Sequence, residues 1–157
     1  MQEDKTPRAL VVMGSTSDEP VMEKMKKYLD YFGISYEFQV VSAHRNPAKT
    51  ASLASEAEKN GYDIIIAGAG MAAALPGVVA AHTTLPVIGI PLAGSELKGV
   101  DALYSIVQMP PGVPVATVSI GSAGAKNSAV LAARILALKY ENLKNKLDAF
   151  RNGGSKL

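Results

Sequence analysis

The chain has no cysteine, no tryptophan and only two histidines. Without cysteine there is no disulfide framework, no thiolate nucleophile and no sulfur-ligated metal, a composition that suits a reducing compartment. Two histidines far apart in the chain, with no paired-carboxylate spacing, leave no ligand set, so no metal is expected. Charge is sparse: 19% of residues are charged, the net charge is +2, and no dense Lys/Arg run offers a footprint for nucleic acid. No uncharged apolar run approaches the roughly 20 residues of a membrane span. The opening MQEDKTPRAL lacks the apolar core of a signal peptide. The closing Ser-Lys-Leu resembles a peroxisomal address over very few residues, and the expected location is the cytoplasm.

What remains is a globular composition. Hydrophobic residues make up 48% of 157, enough to bury a real core in a single domain spanning residues 1–157. Strand and helix patterns alternate along it. Ala9–Met13 is a short β-branched run; from Pro20 to Phe32 the period changes, with Val21, Met25, Leu29 and Phe32 on one helical face. Ser35–Val41 reads as a second strand, followed by a helix capped by Asn46 and Pro47 that ends near Asn60-Gly61. Asp63–Gly70 is a third strand, its unbroken apolar run suiting burial on both faces. A small-residue helix through Ala74–His82, a strand at Pro86–Pro91 and a helix at Val100–Met109 follow. Val113–Ile120 is the fifth strand and Ser122–Leu138 the fifth helix.

Five such units predict an α/β fold with a central parallel five-stranded sheet and helices on both faces. The core should run over about residues 8–139. Beyond it, Tyr140, Leu143, Leu147 and Phe150 repeat at helical spacing within 139–151. Such a stripe must be covered, either by its own domain or by a neighbouring subunit. The neighbour is the expectation, since the alanine- and glycine-rich helices also invite close packing between subunits.

In open parallel sheets, ligands bind beyond the carboxyl ends of the strands. Three turns of unusual composition fall there: Gly14–Asp18, Ser42–Pro47 and the Gly/Ala-rich segment from Ala67 to Gly77. Free backbone N–H groups and the Ser15 and Ser17 hydroxyls suit a phosphate, although Ser17 or Asp18 could instead cap the helix. Asp18 would repel a phosphate and fits sugar hydroxyls better. Arg45 offers a planar fork of donors for an anion, and Ser42 could orient an imidazole or bond a carboxylate. Histidine is the side chain whose charge ordinarily changes near neutral pH, so His44 is the candidate acid/base. Gly68, Gly70 and the alanines around them would let backbone approach a flat ligand closely. The loose G-x-G-x-x-A match of this segment lies after the third strand, and no acid lies about 20 positions on for a ribose, which disfavours a dinucleotide. His82 has no polar cluster around it and reads as a surface residue. Walker and GxSxG patterns are absent. The residues therefore describe a pocket for a small phosphorylated sugar, using no cofactor and one proton carrier.

Taken together, VVMGSTSD, VVSAHRNP, IIAGAGMAAALPG, GVDALYSIVQMPPGVPVATV and GSAGAKNSAVLAARIL resemble the N5-carboxyaminoimidazole ribonucleotide mutase family of purine biosynthesis, in order and at the family's spacing. The resemblance runs from about Arg8 to about Lys139. It implies a flavodoxin-like three-layer domain assembled into an octamer. It also implies an isomerase that moves a carboxylate from the exocyclic nitrogen of an aminoimidazole ribonucleotide to ring carbon C4, with neither metal nor cofactor. By the same resemblance His44 is the acid/base, Ser15 and Asp18 hold phosphate and ribose, and Arg45 binds phosphate. Ser17, Ser42, Ala43, Ala69, Gly70, Ala73 and Leu75 would complete the substrate contacts. Met71 and Ala74 depart from the glycine and histidine common in bacterial members, and Asn46 replaces a common threonine. Direct carboxylation of the aminoimidazole ribonucleotide by carbon dioxide is the rival within the family. A non-catalytic nucleotide-binding module is the rival outside it.

Overall fold

The computed structural model describes residues 6–157. Five strands form one parallel sheet: β1 (Arg8–Met13), β2 (Ser35–Val40), β3 (Ile64–Gly70), β4 (Val87–Leu92) and β5 (Ala116–Thr117). Their spatial order is β2-β1-β3-β4-β5, the flavodoxin-like arrangement. The central strands β3 and β4 are buried almost end to end, as their continuous apolar runs require. On edge strand β2, by contrast, Ser35, Glu37 and Val40 face solvent.

Alternation along the strands divides the core in two. Val11, Met13, Ile64, Ile66, Ile88 and Ile90 point to one face of the sheet. Leu10, Val12, Ile65, Ala67 and Val87 point to the other. Helices α1 (Glu19–Met22), α2 (Lys26–Phe32) and α6 (Ser122–Leu136) cover the first face. The second is covered by α3 (Pro47–Glu56), α4 (Leu75–Ala81) and α5 (Val100–Val107). The strand order turns back at β1, with β2 on one side and β3, β4 and β5 on the other, and crossovers of one hand then place their helices on opposite faces.

Three elements differ from the sequence expectation. The helix expected over Pro20–Phe32 is interrupted by a 3-10 turn at Glu23–Met25, with α1 before it and α2 after it. Met22 and Met25 stay fully buried across the interruption, so the apolar spacing is kept while the hydrogen-bond pattern changes. Strand β5 pairs over two residues rather than the eight of Val113–Ile120, its partners being Ile88 and Gly89. Pro114 and Pro91 both lack the N–H that a longer ladder would use. Single bonds from Val118 N to Gly89 O (3.1 Å) and from Gly121 N to Pro91 O (2.8 Å) hold the segment in place.

The third difference is the terminal helix α7 (Asn142–Asn152). Its stripe, expected to lie on a neighbouring subunit, is covered within the chain. Leu143 is fully buried, and the Phe150 ring packs edge-on against Tyr28 and Phe32 at centroid distances of 6.1 and 5.4 Å. Lys146 Nζ donates to the carbonyl of Phe32 at 3.1 Å, capping the carboxyl end of α2. The aromatic residues of α2 thus supply the cover that the periodicity demanded. Replacing Leu143 with alanine should lower conformational stability by about 2–5 kcal/mol. Denaturant titration at fixed protein concentration measures this, and an unchanged midpoint would show that α7 is not anchored through Leu143.

Candidate active site

Parallel pairing sets where the strands end. Met13 lies beside Val40 of β2 and Gly68 of β3, and Gly70 lies beside Leu92 of β4. The turns that follow these four strands therefore emerge at one edge of the sheet. They enclose a cavity of about 470 Å³.

The β1 turn contributes Gly14, Ser15, Ser17 and Asp18. Ser15, extended at φ −151°, caps the 3-10 turn Thr16–Asp18: its Oγ accepts from the Ser17 backbone N–H at 3.2 Å. The two hydroxyls also bond each other at 2.9 Å. One of the pair keeps its proton for an outside acceptor. Ser17 and Asp18, the expected caps, make no such side-chain bond. Burial pushes the Asp18 carboxyl up from its ordinary range, partly countered by a hydrogen bond from the Ser15 backbone.

The β2 turn contributes Ser42, Ala43, His44 and Arg45. Ser42 Oγ accepts from the Arg45 backbone N–H at 3.2 Å, which closes the turn and leaves the hydroxyl proton free to donate. As the sequence predicts, Asn46 caps α3, its Oδ1 accepting from Lys49 N at 3.2 Å, and Pro47 opens the helix. The amino end of α3 places positive partial charge beside Arg45. His44 and Arg45 are both exposed in the free chain.

The third wall, Ala69 to Leu75, contains no ionisable or hydrogen-bonding side chain. A Cβ on Gly70 would lie 3.2 Å from the carbonyl of Leu92. A Cβ on Gly68 would run into the Met22 thioether. Gly68, expected to admit a ligand, instead admits α1, and it does not line the cavity.

Apart from Gly68, every residue expected at the site (Ser15, Ser17, Asp18, Ser42, Ala43, His44, Arg45, Ala69, Gly70, Ala73 and Leu75) borders this one cavity. Gly14, Met71, Ala72, Ala74 and Gly94 border it too; all but Gly94 lie in the turns expected there, although none was named as a substrate contact. Gly94 follows β4 at the same sheet edge, so the topological rule reaches it. Glycine and alanine offer no chemistry for a search by residue type to find. His82 is exposed at the end of α4, outside the cavity.

A larger depression, about 570 Å³, opens where Asp63, Lys139 and Tyr140 meet. The three polar groups at its centre already satisfy one another. Asp63 accepts from Lys139 Nζ at 2.7 Å, from Tyr140 Oη at 3.0 Å and from Arg8 N at 2.9 Å. The smaller cavity is the better candidate, because its donors converge and remain free. Among the described residues no three His, Asp or Glu side chains gather as a metal site, and no helix is long and apolar enough to cross a membrane.

A hydroxyl-, imidazole- and guanidinium-bearing wall at the carboxyl edge of a flavodoxin-like sheet gives an α/β protein a cavity whose chemistry suits a small anionic ligand. Comparison with known proteins narrows the class. The AIR carboxylase family matches residues 8–156, and the chain belongs to that family. It is 56% identical over 144 residues to the N5-carboxyaminoimidazole ribonucleotide mutase of Saccharolobus solfataricus, covering 92% of this chain and 90% of the relative. It is 54% identical over 147 residues to the mutase of Haemophilus influenzae, covering 94% and 90%. The crystal structure of Treponema denticola PurE superposes with a TM-score of 0.85 at 31% identity, covering 95% of this chain and 92% of that one.

The raised Asp18 pKa has a consequence for stability. The native state holds this proton to higher pH than the unfolded chain does, so Asp18 makes stability fall as pH rises through the carboxylate range. The stability of wild type minus that of Asp18→Asn should therefore decline modestly across that range. Unfolding titrations of the ligand-free proteins at a series of pH values measure it, and a difference that rises with pH would show the opposite shift.

Proposed function

We propose that the chain is an N5-carboxyaminoimidazole ribonucleotide mutase, converting the N5-carboxylated ribotide to its C4-carboxylated isomer in purine biosynthesis. The observation that carries this reading is the convergence of His44 with the Ser15–Asp18 turn and the uncharged Ala69–Leu75 wall on one cavity. The names of the curated relatives support the same reading.

Arg45, the Ser15–Ser17 hydroxyl pair and the amino end of α3 hold the phosphate. Asp18 accepts hydrogen bonds from the ribose hydroxyls. The imidazole of the ribotide then lies against Ala69–Leu75, with His44 facing its reacting edge and the Ser42 proton available to the carboxylate. In its cationic form His44 protonates the exocyclic nitrogen as the N–C bond of the carbamate breaks, which releases carbon dioxide within the cavity. C4 attacks the carbon dioxide and forms the new C–C bond. The neutral His44 finally removes the C4 proton, which restores the aromatic ring and regenerates the cation. Substrate and product match in size and charge, so uniform binding cannot accelerate the reaction and the proton transfers must.

The assembly is an octamer on this reading. A single stripe formed by Leu97, Val100, Tyr104 and Val107 supports association, since these residues are 64%, 44%, 64% and 49% exposed. Light scattering should return the mass of eight chains; a monomeric mass would overturn the assembly.

His44→Asn should lower turnover by about 10²-fold or more while nucleotide binding is largely kept. Arg45→Ala should mainly weaken binding, by about 1.5–3 kcal/mol. Steady-state kinetics with calorimetric titration of the ribotide separates the two effects, and the reverse pattern would overturn the role assignments. Wild-type turnover of the N5-carboxylated ribotide should need no added bicarbonate. Turnover of the uncarboxylated ribotide alone, dependent on bicarbonate, would identify a direct carboxylase, and no turnover of either would identify a binding module.

A further inference from the structure

The chain has fourteen glycines, and most have a reason within the fold. Six adopt a φ in the left-handed region, where a side chain is disfavoured. At six others a Cβ would come within 3.3 Å of another part of the chain. Two are left, Gly14 and Gly94, which have neither a left-handed φ nor any atom within 4 Å of a Cβ placed on them. Both border the cavity. Glycine costs conformational entropy on folding, and at such a position alanine would stabilise the free protein. The missing Cβ is therefore room kept for something other than the chain. The two glycines differ in place. Strand β1 lies between β2 and β3, so Gly14, one residue past its end, has a cavity-lining turn on either side. The bond from Val41 N to the Met13 carbonyl brings the Ser42 turn alongside it. Gly94 follows β4, whose outer neighbour β5 contributes nothing to the cavity lining. Gly14 is thus central to the cavity and Gly94 marginal.

We infer that Gly14 is a specificity-determining residue: the sugar of the bound ribotide lies against its main chain, in the space a side chain would fill. The inference rests on the mutase reading above, which gives the phosphate to Arg45 and the Ser15–Ser17 pair and the ribose hydroxyls to Asp18. Those groups stand on the two turns that flank Gly14, so the sugar joining phosphate to base has to cross it. A methyl group on Gly14 meets no protein atom, and its only effect is to lift the sugar away from its partners. Phosphate and ribose are the same in substrate, transition state and product. A loss of contact there weakens all three alike, which raises KM and leaves kcat largely unchanged.

The test compares wild type, Gly14→Ala and Gly61→Ala for turnover of the N5-carboxylated ribotide, for competitive inhibition by ribose 5-phosphate and for thermal midpoint. Gly14→Ala should raise KM and the inhibition constant of ribose 5-phosphate alike, by about tenfold or more. Its kcat should be largely kept and its midpoint no lower than that of wild type. Gly61, at φ +82° and outside the cavity, should give the opposite pattern, a lower midpoint with both constants unchanged. Unchanged constants in Gly14→Ala, with wild type turning over the ribotide, overturn the inference and leave the mutase reading intact. A lowered midpoint in Gly14→Ala shows that the fold itself needs this glycine, and a raised KM in Gly61→Ala shows that the effect is not local; either overturns it. No turnover by wild type overturns the mutase reading. Calorimetric titration with ribose 5-phosphate then decides Gly14 by itself: weaker binding by Gly14→Ala supports the sugar site, and equal binding, or none by wild type, overturns it.

Discussion

Parallel pairing of β1 with both β2 and β3 is the constraint on which the site depends. Each ladder fixes its strand ends within about two residues of each other: Met13 sits opposite Val40 and Gly68, and β3 runs on two residues to Gly70. Residues separated by more than fifty positions, such as Ser15 and Gly70, are thereby delivered to one cavity without any direct bond between their turns. The strands themselves are held by apolar contacts on both faces, so the sheet cannot slip in register without exposing a whole row of isoleucines and valines. The turns inherit that rigidity at their starts. Val41 N, bonded to the Met13 carbonyl at 2.8 Å, carries the ladder one step beyond β2.

Features that local chemistry controls were legible in the sequence. The Asn46-Pro47 start of α3 could be read because a short polar side chain before proline satisfies a helix end by itself. The position of β3 could be read because an unbroken apolar run needs cover on both faces. Features that depend on what lies across the molecule were not. Cutting β5 to a two-residue ladder depends on Pro91, which belongs to another strand. The place of α7 depends on whether the aromatic residues of α2 form a patch that fits Leu143 and Phe150, and periodicity says only that some cover exists. In the site, side chains with chemistry to offer could be picked out, whereas Gly94 borders the cavity with no side chain to mark it. Gly68 shows the same ambiguity in reverse, since a missing Cβ can make room for a ligand or for a neighbouring methionine.

The hydrogen bonds within the site show how it is prepared. Ser15 and Ser42 each spend a lone pair on a backbone N–H within their own turn, at 3.2 Å in both cases. Each hydroxyl is then oriented by the chain before a ligand arrives, with acceptor capacity partly used; the Ser42 proton stays open, as does one proton of the Ser15–Ser17 pair. Hydroxyls biased toward donation suit an anionic ligand, because they need not reorganise when it binds. Asp18 runs against this trend, being an acceptor set among donors. Its partial burial makes the bare carboxylate costly in the free protein, and hydrogen bonds from sugar hydroxyls would offset that cost.

The two sides of the cavity divide the work on the proposed reading. Phosphate and ribose are the same before and after the reaction, so a strong grip on them positions the ring without favouring either isomer. The carboxylate is what moves, and a cationic side chain on the wall beside it would hold each carboxylated form in place. Holding both forms equally deepens the two ground states together and leaves the intervening barrier higher. A wall of alanine, glycine and methionine avoids that trap. It gives neutral carbon dioxide an environment no worse than the carboxylate receives, and it leaves His44 as the group whose change of charge tracks the bond changes.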